Sequence, residues 1–492
     1  MPEVILNKFD GGFAEDVREL TTDRCEESLN FDIFSEPHRL SPRRDTEADT
    51  ISSGSVAMDT VRITQVLVAK VASTDKIVGI GKNTSGSFTG FYSKSNIGDT
   101  FVLNAATVAN QLEEGSGIVY KNKAYAVDYN GSNTYRLLEL TDASTVTAIG
   151  NISYTKTGSE TVIMFVHPDD NYLYIIIGNT ISVYTGSALS TATTTLPTGF
   201  YGTSMTNYGG YVALVAQPFV GKANPICYLW GRDTTLNTFQ DSMDLGEGFC
   251  GLVENLDNTL TFIMSPYDDF TSNFQNKIIT KVYSGGAVQT VKEINVSSTY
   301  GKVKTVKVKR NNRIYFLTAT CDCVWVFGRN KDGQYTITKD YFASSGSSAT
   351  ISSLSFIGDY MWAGVTVSSV YSLQKTSGTT TDFDSTSSYK TLINPSMPIG
   401  DRGKEKQLKA VQIMVTGASS GTTGVKLSVD GSSMTAVISE SNATGEQVYE
   451  AAALNDGTEF LTGREFQFQL ETTGGAKIKE FRYRYETNTT QF

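Results

Sequence analysis

Histidine is nearly absent from this chain, with only His38 and His167 among 492 residues. A three-histidine metal site within one chain is therefore excluded. Cysteine is scarce and dispersed: Cys25, Cys227, Cys250, Cys321 and Cys323 form an odd set, unlike the dense even frameworks of small stapled domains, so free thiols are expected. No G-x-x-x-x-G-K-[ST], G-x-G-x-x-G or G-x-S-x-G opens a helix, and the calcium-loop pattern is missing. No run approaches the ~18 uncharged apolar residues of a membrane span, and the opening MPEVILNKFDGGFAEDVREL lacks a basic segment followed by an apolar one. A soluble chain made in the cytoplasm, without stable membrane insertion, is the expectation. Positive charge is also short, with 41 Lys and Arg against 51 Asp and Glu and a net charge of −10. That balance argues against a free-standing surface for DNA or anionic lipid, which needs clustered cations to displace counterions.

What the chain does have is glycine (44), tyrosine (25) and phenylalanine (25) in a Thr-, Ser- and Val-rich background, the residues of pleated strands and tight turns. A hairpin recurs along it, in which an Asn, Asp or Gly turn introduces a β-rich run and a second run follows. The copies begin at Asp75 (DKIVGIG), Asn122 (NKAYAVDY), Asp170 (DNYLYIII), Gly209 (GGYVALVAQ), Asp257 (DNTLTFIM), Asn312 (NRIYFLTA) and Gly358 (GDYMWAGV). By subtraction, successive starts lie 47, 48, 39, 48, 55 and 46 residues apart, which suits a four-stranded antiparallel propeller blade. TFVLN at 100–104 and GIVY at 117–120 supply further strands between the first two copies. Continuous apolar runs such as YLYIIIG are expected where blades stack and bury both faces. The fold class predicted is all-β: a seven-bladed β-propeller over 56–390, with an extended N-terminal arm over 1–55 and a C-terminal β-sandwich over 407–492.

The flanks depart from the repeat. Residues 1–55 are charged and poor in strand pattern, and read as an arm lying on a surface or a neighbour. Residues 391–406 carry Pro395 and Pro398 and read as a linker. Alternation then resumes, placing Phe466, Phe468 and Leu470 on a core face and Glu465, Gln467 and Gln469 outside.

Candidate chemistry is sparse. His167 with Asp169 and Asp170 is a turn that could collect a metal, but strand-joining loops gather such residues anyway. Cys321 and Cys323 in CDC share a strand face, whereas zinc and redox sites use C-x-x-C turns. Asp268 with Asp269 and Asp382 with Asp384 are the carboxylate pairs a glycosidase would need, set in Ser/Thr/Asn-rich loop text. KVKTVKVKRNNR at 302–313 holds Lys302 and Lys304, then Lys307 and Lys309, at strand spacing; a phosphate-binding strip is one reading, and in an acidic chain a solvent-facing or edge-protecting strand is the preferred one. Trp230, Trp325 and Trp362 are read as blade-core residues rather than sugar-stacking platforms. No enzyme, metal or cofactor is expected.

FDGGFAEDVREL at 9–20 and NFDIFSEPHRLSPRRD at 30–45 resemble the amino-terminal segment of tailed-bacteriophage virion proteins, especially tail proteins with a propeller body. The matching residues are Gly11, Gly12, Asp16 and Arg18, then Asn30, Phe31, Asp32, Pro37, Leu40, Pro42 and Arg43. GREFQFQLETTGGAKIKEFRYRYE at 463–486 is similar to the closing hairpin of such proteins. The resemblance implies a nozzle-like component of the virion tail, assembled in the host cytoplasm. Its partners would be copies of itself in a ring, a hexamer for example, together with the tail adaptor or neighbouring tail proteins and fibres. Genomic DNA would pass through without being specifically bound. Arg18, Arg39, Arg43 and Arg44 are the subunit-contact candidates. The competing expectation is a carbohydrate- or receptor-binding module of a phage tail.

Overall fold

The computed structural model describes 3–6, 12–13, 24–25, 27–28, 31–32, 34, 41–42, 46–49 and 51–52, then 61–376 with short gaps, and 391–393, 405–416, 421–455 and 459–487. The gaps are 84–89, 105–110, 114–115, 130–132, 143–144, 156–161, 168–169, 220–223, 232–238, 268–273, 297–299, 321, 331–332, 343–348 and 368–369. Every regular element among the described residues is a strand.

Between 61 and 376 the chain folds into successive small antiparallel sheets, most of them four-stranded meanders. Their first strands are Val61–Val71, Ile118–Tyr120, Val162–Val166, Phe200–Tyr208, Phe249–Leu256, Val303–Arg310 and Ala349–Ile357. Each recurring hairpin of the sequence supplies the second and third strands of one sheet, as in Leu173–Ile177 with Thr180–Tyr184. The turns ahead of the second strands explain the residues found there. Lys121 with Asn122, Asp257 with Asn258 and Asn311 with Asn312 all take left-handed φ, between 46° and 67°, as a two-residue hairpin matched to strand twist requires.

First strands of neighbouring sheets touch in sequence, and Ala349–Ile357 of the last sheet packs on Val61–Val71 of the first. The Val66 amide donates to Ser355 Oγ at 2.9 Å, and the Tyr371 hydroxyl donates to the Ile63 carbonyl, across that junction. A closed circle of sheets with their first strands around the axis is the plan of a β-propeller. The second strands are buried on both faces; all five residues of Leu173–Ile177 are buried, and Trp325 and Trp362 fill other inter-sheet spaces.

The described residues of 1–55 are largely strands of the chain's own sheets, where the sequence suggested an arm with little strand pattern. Thr46–Ala48 pairs with Val370–Thr376 as the fourth strand of the last sheet, and Ile51–Ser52 pairs in parallel with Phe101–Leu103 of the first. Between them Asp49 enters the junction with its side chain fully buried. Lys94 Nζ donates to its two oxygens at 2.9 and 2.7 Å, Trp362 Nε1 donates at 2.7 Å and Lys375 Nζ at 3.5 Å. Without those donors the buried carboxylate would be strongly unfavourable.

Beyond 390, two sheets face each other. Glu3–Leu6, Lys477–Thr487, Lys406–Thr416 and Glu446–Ala452 form one in that order; Glu27–Ser28, Thr391–Ile393, Phe466–Thr472, Thr422–Val429 and Thr435–Ser441 form the other. The stretch expected as linker thus contributes Thr391–Ile393 as a strand. Phe468 packs on Phe481 and Tyr483, each at 5.0 Å between ring centres, while Gln467 and Gln469 point to the partly exposed side. This core is continuous with that of the later propeller sheets, and the Arg313 guanidinium sits 4.6 Å from the centre of the buried Phe34 ring.

Candidate functional site

The first strands have a ladder partner on one side only, and their free edges ring the axis. Most are not regular. Pairing slips by a residue at Thr64, Thr203, Gly251 and Ser352, and by more at 304–306. Such bulges turn side chains that strict alternation would send elsewhere. Side chains then stitch strand to strand: the Gln65 amide donates to the Gly117 carbonyl at 2.6 Å and accepts from its amide at 2.7 Å. Thr203 Oγ1 donates to the Cys250 carbonyl at 2.8 Å, and Ser265 Oγ accepts from the Val303 amide at 2.9 Å. Gly251 is required by close approach, since a Cβ there would stand 2.9 Å from Val303 Cγ1 and 3.0 Å from the Lys304 carbonyl oxygen.

Inside this ring lies a cavity of about 430 Å³, lined among others by Thr203, Phe249, Lys302, Lys304, Lys307 and Ser353. A second space of about 420 Å³ shares Met164, Phe165, Met205 and Lys307 with it and reaches Asn207, Glu254 and Lys309. The sequence placed the four lysines on a solvent-facing or edge-protecting strand. They do lie on a free sheet edge, but on the one that faces the axis.

In this channel, among the described residues, an acidic partner meets Lys307 but not Lys302 or Lys304. Lys307 Nζ lies 2.9 Å from Glu254 Oε2 and donates to the Met205 carbonyl at 2.9 Å, and Thr206 Oγ1 donates to Glu254 Oε1 at 2.7 Å. Burial opposes the charge on Glu254, but Lys307 and the hydrogen bonds from Lys307, Thr206 and the Asn255 amide outweigh it, holding the carboxyl below its usual range. Lys309 donates to the Asn255 carbonyl. Lys302 instead lies against rings, 4.5 Å from the centre of Phe249 and 5.6 Å from that of Phe274, and burial pulls its ammonium below the ordinary lysine value.

No protein-family model matches the chain. No curated protein sequence matches it either. Solved structures with similar coordinates include an exo-β-1,3-galactanase from Phanerochaete chrysosporium, at 9% identity and TM-score 0.31 over 89% of this chain and 100% of that one. They also include YCF48 from Cyanidioschyzon merolae, at 10% identity and TM-score 0.43 over 68% of this chain and 98% of that one. A third is a mutant of Trypanosoma rangeli sialidase, at 8% identity and TM-score 0.34 over 90% and 95%. No activity is carried over from any of them.

The residues singled out by sequence fall into two groups. His38, Asp169, Asp268, Asp269, Cys321, Asp382, Asp384 and the contact candidates Arg18, Arg39, Arg43 and Arg44 lie outside the described residues. The others are placed by architecture. His167 is buried at the foot of a turn in which Asp170 accepts from the Tyr172 amide at 2.9 Å and from the Tyr174 hydroxyl. Cys227, Cys250 and Cys323 are buried free thiols. Trp230, Trp325 and Trp362 are 2%, 0% and 1% exposed, so none of them is available to stack on a sugar. Asp49 was missed altogether, because nothing local distinguishes it from the other acids of residues 1–55.

Proposed function

We propose that this chain is a virion structural protein of a bacteriophage tail. In this proposal it is a seven-bladed β-propeller over 56–390 with a C-terminal β-sandwich over 407–492, and it carries no catalytic role. Copies form a ring, a nozzle or tail tip, around the DNA-ejection channel and contact adaptor and fibre proteins; assembly takes place in the host cytoplasm.

The observation that carries the proposal is the path of residues 1–55. Glu3–Leu6 and Glu27–Ser28 join the two C-terminal sheets, and Thr46–Ala48 and Ile51–Ser52 join the last and first sheets of the circle. One end of the chain therefore ties both bodies together and latches the circle shut. That suits a rigid part that must keep its shape under load. The cavity inside the propeller is far too small for a DNA duplex, so DNA would pass between copies. A ring of chains at net charge −10 each would let a polyanion slide without adhering. Arg18, Arg39, Arg43 and Arg44 stand in sequence between the tie strands and are the proposed contacts with neighbours.

Negative-stain imaging and size-exclusion chromatography, alone and with the neighbouring tail proteins, test this. Rings are expected, and reversing Arg39, Arg43 and Arg44 to Glu should abolish them while leaving the thermal melt in place. A chain that stays monomeric with every tail neighbour present would overturn the proposal. Deleting residues 1–50 is a poor test, because it removes Asp49 and the last sheet's fourth strand and so attacks the fold itself.

A further inference from the structure

The lysine strand contains an imbalance that the structural role does not use. Lys307 and Lys309 are met by Glu254 and by backbone carbonyls. Lys302 and Lys304 line the same cavity, and among the described residues neither ammonium group has an ion-pair or hydrogen-bond partner. Two lysines on one cavity, with no counter-charge to either among the described residues, favour the entry of an anion. We propose that this end of the channel is a binding site for a small phosphate-bearing molecule, held by Lys302 and Lys304.

Local geometry supports that chemistry. Between Val303, opposite Thr318, and Lys307, opposite Phe316, the residues Lys304, Thr305 and Val306 have no partner across the ladder, so three residues face Leu317 alone. An irregular stretch of this kind frees backbone groups that a regular strand would keep in its ladder. Thr305, within the stretch, lines the cavity, as does Ser353, whose oxygen accepts from the Gly364 amide at 3.1 Å and keeps its own proton to donate. Phe249 and Phe274 wall one side of Lys302 and reduce its access to water, which strengthens its attraction for an anion. Lysine binds a phosphate as a compact point charge with three rotatable donors, where arginine would hold it through a fixed bidentate fork. At about 430 Å³ the cavity admits a phosphate with a sugar-sized body and excludes a nucleic-acid strand in duplex form.

The test is calorimetric titration of the full chain, at constant ionic strength, with inorganic phosphate and with a hexose monophosphate. Saturable binding at one site per chain is expected for at least one of them. Lys302→Met and Lys304→Met should each weaken it at least tenfold, with Lys309→Met within twofold of the parent. Equal affinity for the two probes assigns the site to the oxyanion alone; tighter binding of the ester assigns the rest of the cavity to its body. Absence of saturable binding by both, or binding that survives both Lys302→Met and Lys304→Met, overturns the proposal. Should those variants fold poorly, acetylation of the unaltered chain gives the same decision. Phosphate must slow modification of Lys302 and Lys304 relative to Lys309, and equal rates would refute the site.

Discussion

The sheets around the channel and the two sheets of the C-terminal region are both antiparallel, yet they are written in different codes. Leu173–Ile177 is buried at every position, because each propeller sheet has a neighbour on both faces. Phe466–Thr472 alternates without a break between buried and partly exposed residues, because it has a core on one face only. The propeller depends on closing a circle, and the closing piece comes from far away in sequence. The C-terminal sheets depend on the period of single strands.

The sharpest way to break this contrast is at the closure. Asp49→Ala leaves Lys94 buried beside Lys375 without its carboxylate, and removing one partner of a buried pair costs about 3–5 kcal/mol. Urea unfolding should show that loss. Next comes the alternating strand: Phe468→Ala should cost about 3–4 kcal/mol by the same measurement, as for other buried Phe truncations. Gln467→Ala, one residue away on the other side, should stay within about 0.5 kcal/mol. Equal effects at the two positions would contradict the one-sided core.

Gly251→Ala tests the tight approach of the inner strands, where backbone of the next sheet blocks a new Cβ, and should cost about 1–3 kcal/mol. Glu254→Gln should cost about 1 kcal/mol near neutral pH. Because the folded carboxyl titrates below its unfolded value, its stabilisation is complete above the ordinary carboxylate range and fades as pH falls through the folded value. Melting curves of parent and variant should therefore converge in acid and separate as pH rises; a constant gap would show that the charge of Glu254 does not matter.

Much of the architecture was legible locally. Asn122, Asp257 and Asn312 signalled turns because few residues accept left-handed φ, and apolar runs such as YLYIII signalled strands covered on both sides. The site was legible only in part. The lysines of 302–313 stood out, but strand periodicity cannot tell a sheet edge that faces solvent from one that faces an enclosed axis, and it cannot anticipate the slip between Val303 and Lys307. Asp49 carried no signal, since its partners Lys94, Trp362 and Lys375 are 45, 313 and 326 residues away.

By itself, then, the sequence determined the strands, their turns and the spacing of the repeat, because these follow from backbone sterics and side-chain period within a few residues. Which strand completes the last sheet, which buried charge latches the circle and which lysines line the enclosed cavity were decided only in three dimensions. Those outcomes depend on who meets whom across hundreds of residues, and on a desolvation penalty that exists only once the cavity has formed.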